Sequence, residues 1–216
     1  MSLKNKAFIF IGIILLLDQL LKVWIKTSME LNESIPILGN WFNIWFTENP
    51  GMAFGMVFGG PVGKIILVTF RIILAGFLIY YIPKMIKQEG ITTGLVFGVA
   101  GVCAGAIGNI FDSAFYGMIF DTGTTYNSDF DVYVGYSGIS EFSNAGYSSF
   151  MHGCVVDMFY FPIIKTTYPS WFPFNAGEEF VFFRPIFNLA DTAITISVLY
   201  IILFQRKALN LLFGHK

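Results

Sequence analysis

Residues 92–111 read TTGLVFGVAGVCAGAIGNIF, 20 positions without a charge. At about 1.5 Å of rise per residue that length crosses about 30 Å of hydrocarbon, so the stretch predicts a transmembrane helix. Gly94, Gly98, Gly101, Gly105 and Gly108 recur along it at helical spacings. That is a small-residue face for close packing against another helix, not a phosphate-binding loop. Residues 7–25, 65–82 and 185–204 are similarly long and apolar. The expectation is an all-α membrane protein, one integral domain over 1–216 built as a four-transmembrane-helix bundle. Its connections 26–63 and 113–183 would carry a small β or interfacial-helix element.

Composition agrees. Of 216 residues 55% are hydrophobic and 12% charged, where soluble domains show about a twofold excess. The 25 Phe, 10 Tyr and 4 Trp exclude a disordered chain, and a net charge of −1 gives no field for nucleic acid. Two cysteines make no disulfide framework. With two histidines and no paired Cys or His spacing, no metal and no cofactor is expected. Lys4 and Lys6 precede the first apolar run as in a signal peptide, but Asp18, Gln19 and Lys22 interrupt it, so it should be retained as a span.

Loop charge sets the sidedness. Lys4, Lys6, Lys84, Lys87, Arg206, Lys207 and Lys216 stand against one acid, Glu89, in the tails and the link 83–90, which places these segments in the cytoplasm. The acidic connections 26–63 and 113–183 then face outward. Trp41, Phe42, Trp45 and Phe46 in the first suit the headgroup layer, as a short strand or an interfacial helix. Residues 121–149 read as β-hairpins or a mobile cap.

A charge at membrane depth costs roughly 3 kcal/mol on insertion scales, so each needs a partner or a purpose. Asp18 lies about 16 Å up the first helix and Lys22 one turn higher. Asn109 and Asp112 end the third helix, and Asn188 and Asp191 begin the fourth. All six fall in the outer leaflet. Asp157 interrupts a second apolar segment, 155–164, too short to span and placed at the interface. Asp18 and Lys22, spaced i, i+4, have a purely structural reading as a pair, and Asp112 another as a hydrogen-bonded helix end. Asp157 and Asp191 have no adjacent base and interrupt apolar surroundings, which favours a functional role. Arg71, alone in the second helix, has three open readings: snorkelling to the membrane edge, lining the bundle, or pairing with a carboxylate. His152 and Cys154 form no hydrolase pair without contact and a third group.

These motifs resemble the lipoprotein signal peptidases (signal peptidase II), membrane-embedded aspartic proteases. The resemblance rests on Asp18-Gln19-x-x-Lys22, Asn49-x-Gly51-x-Ala53-Phe54-Gly55, Gly105-Ala106-x-Gly108-Asn109-x-x-Asp112, Val155-Val156-Asp157 and Phe187-Asn188-x-Ala190-Asp191, in order across four spans. It implies that Asp157 and Asp191 are the catalytic pair, with Asp18, Lys22, Asn49, Gly51, Asn109, Asp112 and Asn188 supporting. The implied substrate is a prolipoprotein bearing a diacylglyceryl group, cut just before its lipidated cysteine. A monomer in the bacterial inner membrane, its site near the periplasmic face, in contact with phospholipid and inhibited by globomycin, is expected.

Two features depart from the family pattern. Ser113 stands where the family has Arg, and residues 113–154 fill what is a short link in most members. Arg184 is expected to supply a replacement cation, and the insert to cap the site or recognise a partner. The rival classes are a small ion-coupled transporter, disfavoured by polar residues confined to one leaflet, and a non-catalytic membrane assembly factor, which would tolerate Asp→Asn changes.

Overall fold

The computed structural model describes residues 1–51 and 60–212. Its first helix, α1 (Leu3–Lys26), starts where the Ser2 hydroxyl accepts from the Asn5 amide at 3.2 Å. Ala7, Ile11, Asp18, Lys22 and Ile25 form its buried stripe, while Ile13, Leu16, Leu17, Leu20 and Trp24 stay exposed. Uncovered apolar surface on this scale is what a bilayer covers. The next helices are α2 (Gly60–Met85) and α3 (Thr93–Phe111). One π-helical turn, Asp112–Tyr116, and a three-residue helix α4 (Gly117–Ile119) prolong α3. After a run of strands come α5 (Leu189–Phe204) and, bent by 92° from it, α6 (Arg206–Leu212).

Among the described residues three stretches, Leu3–Lys26, Gly60–Met85 and Thr93–Ile119, are each long and apolar enough to cross a membrane, and a fourth is added if the bent pair α5 and α6 is one span. The protein is a multi-pass membrane protein. The fourth helix is shorter than the 185–204 expected, because Ile186 and Phe187 are drawn into a strand and Asn188 becomes the helix cap.

α3 is the centre of the bundle, packed on α1, α2 and α5. A Cβ on Gly105 would stand 2.6 Å from Ile194 Cγ1 and overlap the Ala190 carbonyl; one on Gly108 would lie 2.7 Å from Asp18 Oδ2. The glycine face thus lets the α5 backbone and the Asp18 carboxylate reach α3.

The connections between α1 and α2 and between α4 and α5 carry eight strands among the described residues, a larger β element than the small one expected beside the helix bundle. Strands β1 (Ser34–Leu38) and β2 (Phe42–Asn49) form a hairpin, and β3 (Thr125–Asn127) with β4 (Val132–Val134) form a second within the insert. β5 (Val155–Tyr160) follows, then the hairpin β6 (Ile164–Thr167) and β7 (Glu179–Phe182), and finally β8 (Ile186–Phe187). The main sheet is antiparallel in the order β1-β2-β5-β8. The apolar segment 155–164, expected at the interface, contains strand β5, whose first four residues are buried. β2 alternates, burying Ile44, Phe46 and Glu48, and its register against β5 shifts between Ile44 and Thr47. Such an irregularity re-aims side chains, and beyond it Thr47 stands opposite Asp157.

The insert is bound tightly to this frame. Lys26, expected in an outer loop, closes α1 as a buried cation paired with Glu48 of β2. Its Nζ donates to the Thr122 carbonyl at 2.9 Å and lies about 5 Å from the rings of Phe120, Tyr136 and Tyr147. The other Glu48 oxygen accepts from the Thr124 amide at 2.6 Å. The returning backbone caps the π-turn, Gly153 N donating to the Ser113 carbonyl at 3.0 Å. A Cβ on Gly153 would overlap the Asp112 carbonyl and stand 2.7 Å from the Gly117 nitrogen.

Candidate active site

Two elements that meet at the sheet end of the bundle carry the carboxylates singled out by the sequence. Asp157 lies mid-strand in β5, 2% exposed. Asp191 is the third residue of α5, in a capping box: the Asn188 side-chain oxygen accepts from the Asp191 amide at 2.9 Å, and Asp191 Oδ2 accepts from the Asn188 amide at 3.4 Å. Capping uses only the oxygen of the Asn188 side chain and leaves its Nδ2 to reach other partners. That nitrogen donates to Asp157 Oδ1 at 2.6 Å and to Asn109 Oδ1 at 3.0 Å. Asn109 in turn donates to Asp191 Oδ1 at 2.8 Å. Two asparagines thus link the carboxylates and add no charge. Asn49 donates to the second oxygen of Asp157 at 3.3 Å and accepts from the Gly51 amide at 2.9 Å. That turn gives Gly51 a φ of +107°, a conformation glycine adopts without steric penalty.

Lys22 organises the layer beneath. Its three donors go to Asp18 Oδ2 at 2.8 Å, Asp112 Oδ2 at 2.7 Å and Asn109 Oδ1 at 3.0 Å, which exhausts an ammonium. Each flanking carboxylate also holds a backbone amide beside a catalytic candidate. Asp18 Oδ1 accepts from Ala190 N at 2.9 Å, and Asp112 Oδ2 from Val156 N at 3.3 Å. The i, i+4 pair on α1 is present, but it belongs to a larger network.

Gln19 is a residue the charge-based reading passed over. Its amide donates to Asp112 Oδ1 at 2.8 Å and Asp18 Oδ2 at 3.1 Å, and its oxygen accepts from the buried Tyr116 hydroxyl at 3.1 Å. Its sequence signals are polarity inside an apolar span and its place in the Asp18-Gln19-x-x-Lys22 motif.

A cleft of about 870 Å³ opens above Asp157 and Asp191. Asn49, Gly51, Asn109, Arg71 and Arg184 line it with apolar Pro50, Val155, Pro185, Ile186, Phe187 and Ile194. Arg184 is exposed, its Nη2 donating to the Glu179 carbonyl at 3.1 Å. Ser113 turns back onto α3, its hydroxyl donating to the Asn109 carbonyl at 2.9 Å. Among the described residues none from 113–154 lines the cleft, so the insert braces its frame and does not roof it. Ala53, Phe54 and Gly55 lie outside the described residues.

Burial, and next the charge of Asp191, push the Asp157 carboxyl up to about 8. Two carboxyls in one cleft, one holding its proton near neutrality, are the requirement for acid–base hydrolysis. Cys154 offers no alternative nucleophile: burial pushes its thiol up to about 11, and the thiol donates to the Thr124 carbonyl at 3.3 Å. His152 Nδ1 contacts Ser149 Oγ and the Phe150 carbonyl, each at 3.0 Å.

A family model described as signal peptidase (SPase) II matches residues 10–206. The lipoprotein signal peptidase of Porphyromonas gingivalis is 41% identical over 208 residues, covering 95% of this chain and 85% of the relative. That of Amoebophilus asiaticus is 35% identical over 214 residues, covering 95% and 81%. A solved structure titled as a bacterial membrane enzyme determined by the in meso method at 2.3 Å superposes with a TM-score of 0.59 at 22% identity, covering 94% of this chain and 88% of the other.

Proposed function

Because the chain belongs to the signal peptidase II family, aspartic peptidases that remove signal peptides from prolipoproteins, we propose that Asp157 and Asp191 are its catalytic pair. The observation that carries this is the amide bridge between them: Asp157 to Asn188 at 2.6 Å, Asn188 to Asn109 at 3.0 Å, Asn109 to Asp191 at 2.8 Å.

In this reading Asp157 holds the proton and Asp191 is the base. Asp191 takes a proton from a water that attacks the scissile carbonyl, while Asp157 gives its proton to the carbonyl oxygen. In the resulting diol, Asp157 recovers a proton from one hydroxyl as the C–N bond breaks, and Asp191 delivers its proton to the departing amine. The pair is then restored. Asn188 and Asn109 fix the orientation of the carboxyls, and Asn49 with Gly51 shapes the strand edge beside them. Lys22, Asp18 and Asp112 are positioning residues that hold the Ala190 and Val156 amides, one residue before Asp191 and one before Asp157.

The bond cut is the one preceding the diacylglyceryl-modified cysteine, and the apolar side of the cleft takes the acyl chains. The site faces the periplasm from the inner membrane, as the cationic Lys84, Lys87, Arg206 and Lys207 at the opposite end of the bundle support. Both termini are then cytoplasmic, and residues 1–216 form one integral domain of four spans acting as a monomer among phospholipids. Arg184, exposed at the mouth, meets a substrate or lipid oxygen; globomycin competes for the same cleft.

The test is cleavage of a diacylglyceryl lipobox substrate by wild type, Asp157→Asn and Asp191→Asn, each checked for folding and assayed with chelator present. Loss of cleavage in both well-folded variants is expected. Full activity in either removes that residue from the pair and points to Asp112.

A further inference from the structure

We propose that Arg71 is a substrate-binding residue whose guanidinium donates to a carbonyl oxygen of the prolipoprotein close to the scissile bond. The proposal rests on the reading of the cleft given above. Arg71 is the one charged residue between positions 65 and 82, a stretch otherwise fit only for lipid or helix contact. It is part of the wall that carries Asp157 and Asp191. Its Nη1 is buried and has no hydrogen-bond partner among the described residues. The ion pairs among the described residues belong to Lys22, Lys26 and Lys165, and none involves Arg71.

A guanidinium keeps its charge at any working pH and presents five donors in a fixed plane. Burying such a group without an acceptor is costly, and more so in an apolar span. The carboxylates whose charge reaches it are Asp191, then Asp157 and Asp112. All three are already engaged by Asn109, Asn188, Asn49, Gln19 and Lys22. Arg71 therefore lines the same cleft as the carboxylates with Nη1 unspent among the described residues. The acceptor must come with the molecule that fills the cleft.

A lipid-modified lipobox offers neutral oxygens there, the backbone carbonyls next to the cut and the ester carbonyls of the acyl chains. Both are planar acceptors that suit a guanidinium. Arg184 differs from Arg71, being exposed and already donating to the Glu179 carbonyl.

The experiment uses the purified full-length protein in lipid, with wild type, Arg71→Met, Arg71→Gln and Arg71→Lys. Each is assayed on a diacylglyceryl lipobox peptide and on its dialkyl-ether counterpart, which lacks the ester carbonyls. Arg71→Met and Arg71→Gln should lower kcat/KM on the diacyl peptide by about 10- to 100-fold, the size of one charge-assisted hydrogen bond, with Arg71→Lys intermediate and melting temperatures maintained. If the loss persists on the ether substrate the acceptor is a peptide carbonyl; if it vanishes there, and wild type itself cuts the ether poorly, the acceptor is an acyl ester. Unchanged kcat/KM on both substrates overturns the proposal. So does a displaced pH profile with kcat and KM at the optimum unaltered, which would mean that Arg71 acts only on the carboxyls, and so does failure of both neutral variants to fold. Asp157→Asn run alongside keeps the two readings apart, since activity in that variant would defeat the catalytic pair and not the Arg71 comparison.

Discussion

The side-chain nitrogen of Asn188 lies 2.6 Å from Oδ1 of Asp157, so the residue that caps α5 also grips the carboxyl of β5. Capping uses the oxygen of that side chain and the grip uses its nitrogen, which makes the two roles separable. Asn188→Ser keeps an oxygen for the Asp191 amide but removes the longer side chain's nitrogen that reaches Asp157. It should retain stability to within about 1 kcal/mol while kcat falls tenfold or more. Asn188→Ala should lose about 1 kcal/mol further. Melting temperature and kcat measured on the same preparations decide it; a fully active serine variant would show that the bridge has no part in turnover.

The raised Asp157 carboxyl sets the sign of the pH dependence. Its proton is needed for donation to the carbonyl oxygen and is lost as pH rises through about 8. Activity should therefore decline on the alkaline side of that value. A kcat/KM profile that stays flat to pH 10 would contradict the assignment of Asp157 as the acid.

Lys22 neutralises two buried carboxylates. Lys22→Met leaves Asp18 and Asp112 uncompensated, and about 3–5 kcal/mol of stability should go with it. Combining Lys22→Met with Asp18→Asn and Asp112→Asn should restore much of that stability but not the full rate, because Ala190 and Val156 then lose their charged acceptors. Chemical denaturation in detergent reads the first effect and cleavage the second.

Deleting residues 121–149 should not open the cleft, since the insert does not line it. It should instead strip the Thr122 carbonyl, the Thr124 amide and the Tyr136 and Tyr147 rings from the Lys26–Glu48 pair. A shortened chain is expected to melt earlier and to cleave more slowly, because Glu48 adjoins Asn49. Glu48→Gln should reproduce the direction of both changes. A deletion with native melting and native rate would mean that the brace carries no load.

The apolar half of the cleft predicts a lipid requirement. Each methylene buried contributes about 0.8 kcal/mol, so an unmodified precursor should be cut far more slowly than its diacylglyceryl form. Kinetics on matched peptides test this; equal rates would leave Pro185, Ile186 and Phe187 without a role in recognition.

The apolar stretches were readable because apolar length answers to bilayer thickness, and the candidate cluster was readable because a polar or charged group in such a span is expensive. Asp18, Lys22, Asn109, Asp112, Asn188 and Asp191 stand out for that reason, and the structure joins them in one network. What stayed hidden depended on pairing across distance. Val155–Tyr160 is apolar on both faces, so its period could not separate a strand from an interfacial segment, and only β2 and β8 on either side make it a sheet. Lys26 and Glu48 looked like ordinary loop charges, although they are buried partners 22 residues apart. The start of α5 was misplaced by four residues because Pro185–Phe187 is as apolar as the helix that follows.

The capping box of α5 has a consequence for biogenesis. Asn188 and Asp191 belong to the last long apolar helix among the described residues, so a nascent chain that has threaded only its earlier spans has neither the second carboxyl nor the donor that orients the first. On the catalytic reading given above, the half-made protein is inert toward every signal peptide passing through the same translocon, and competence arrives in one step, when the ribosome delivers the final helix and its first turn closes over Asp157.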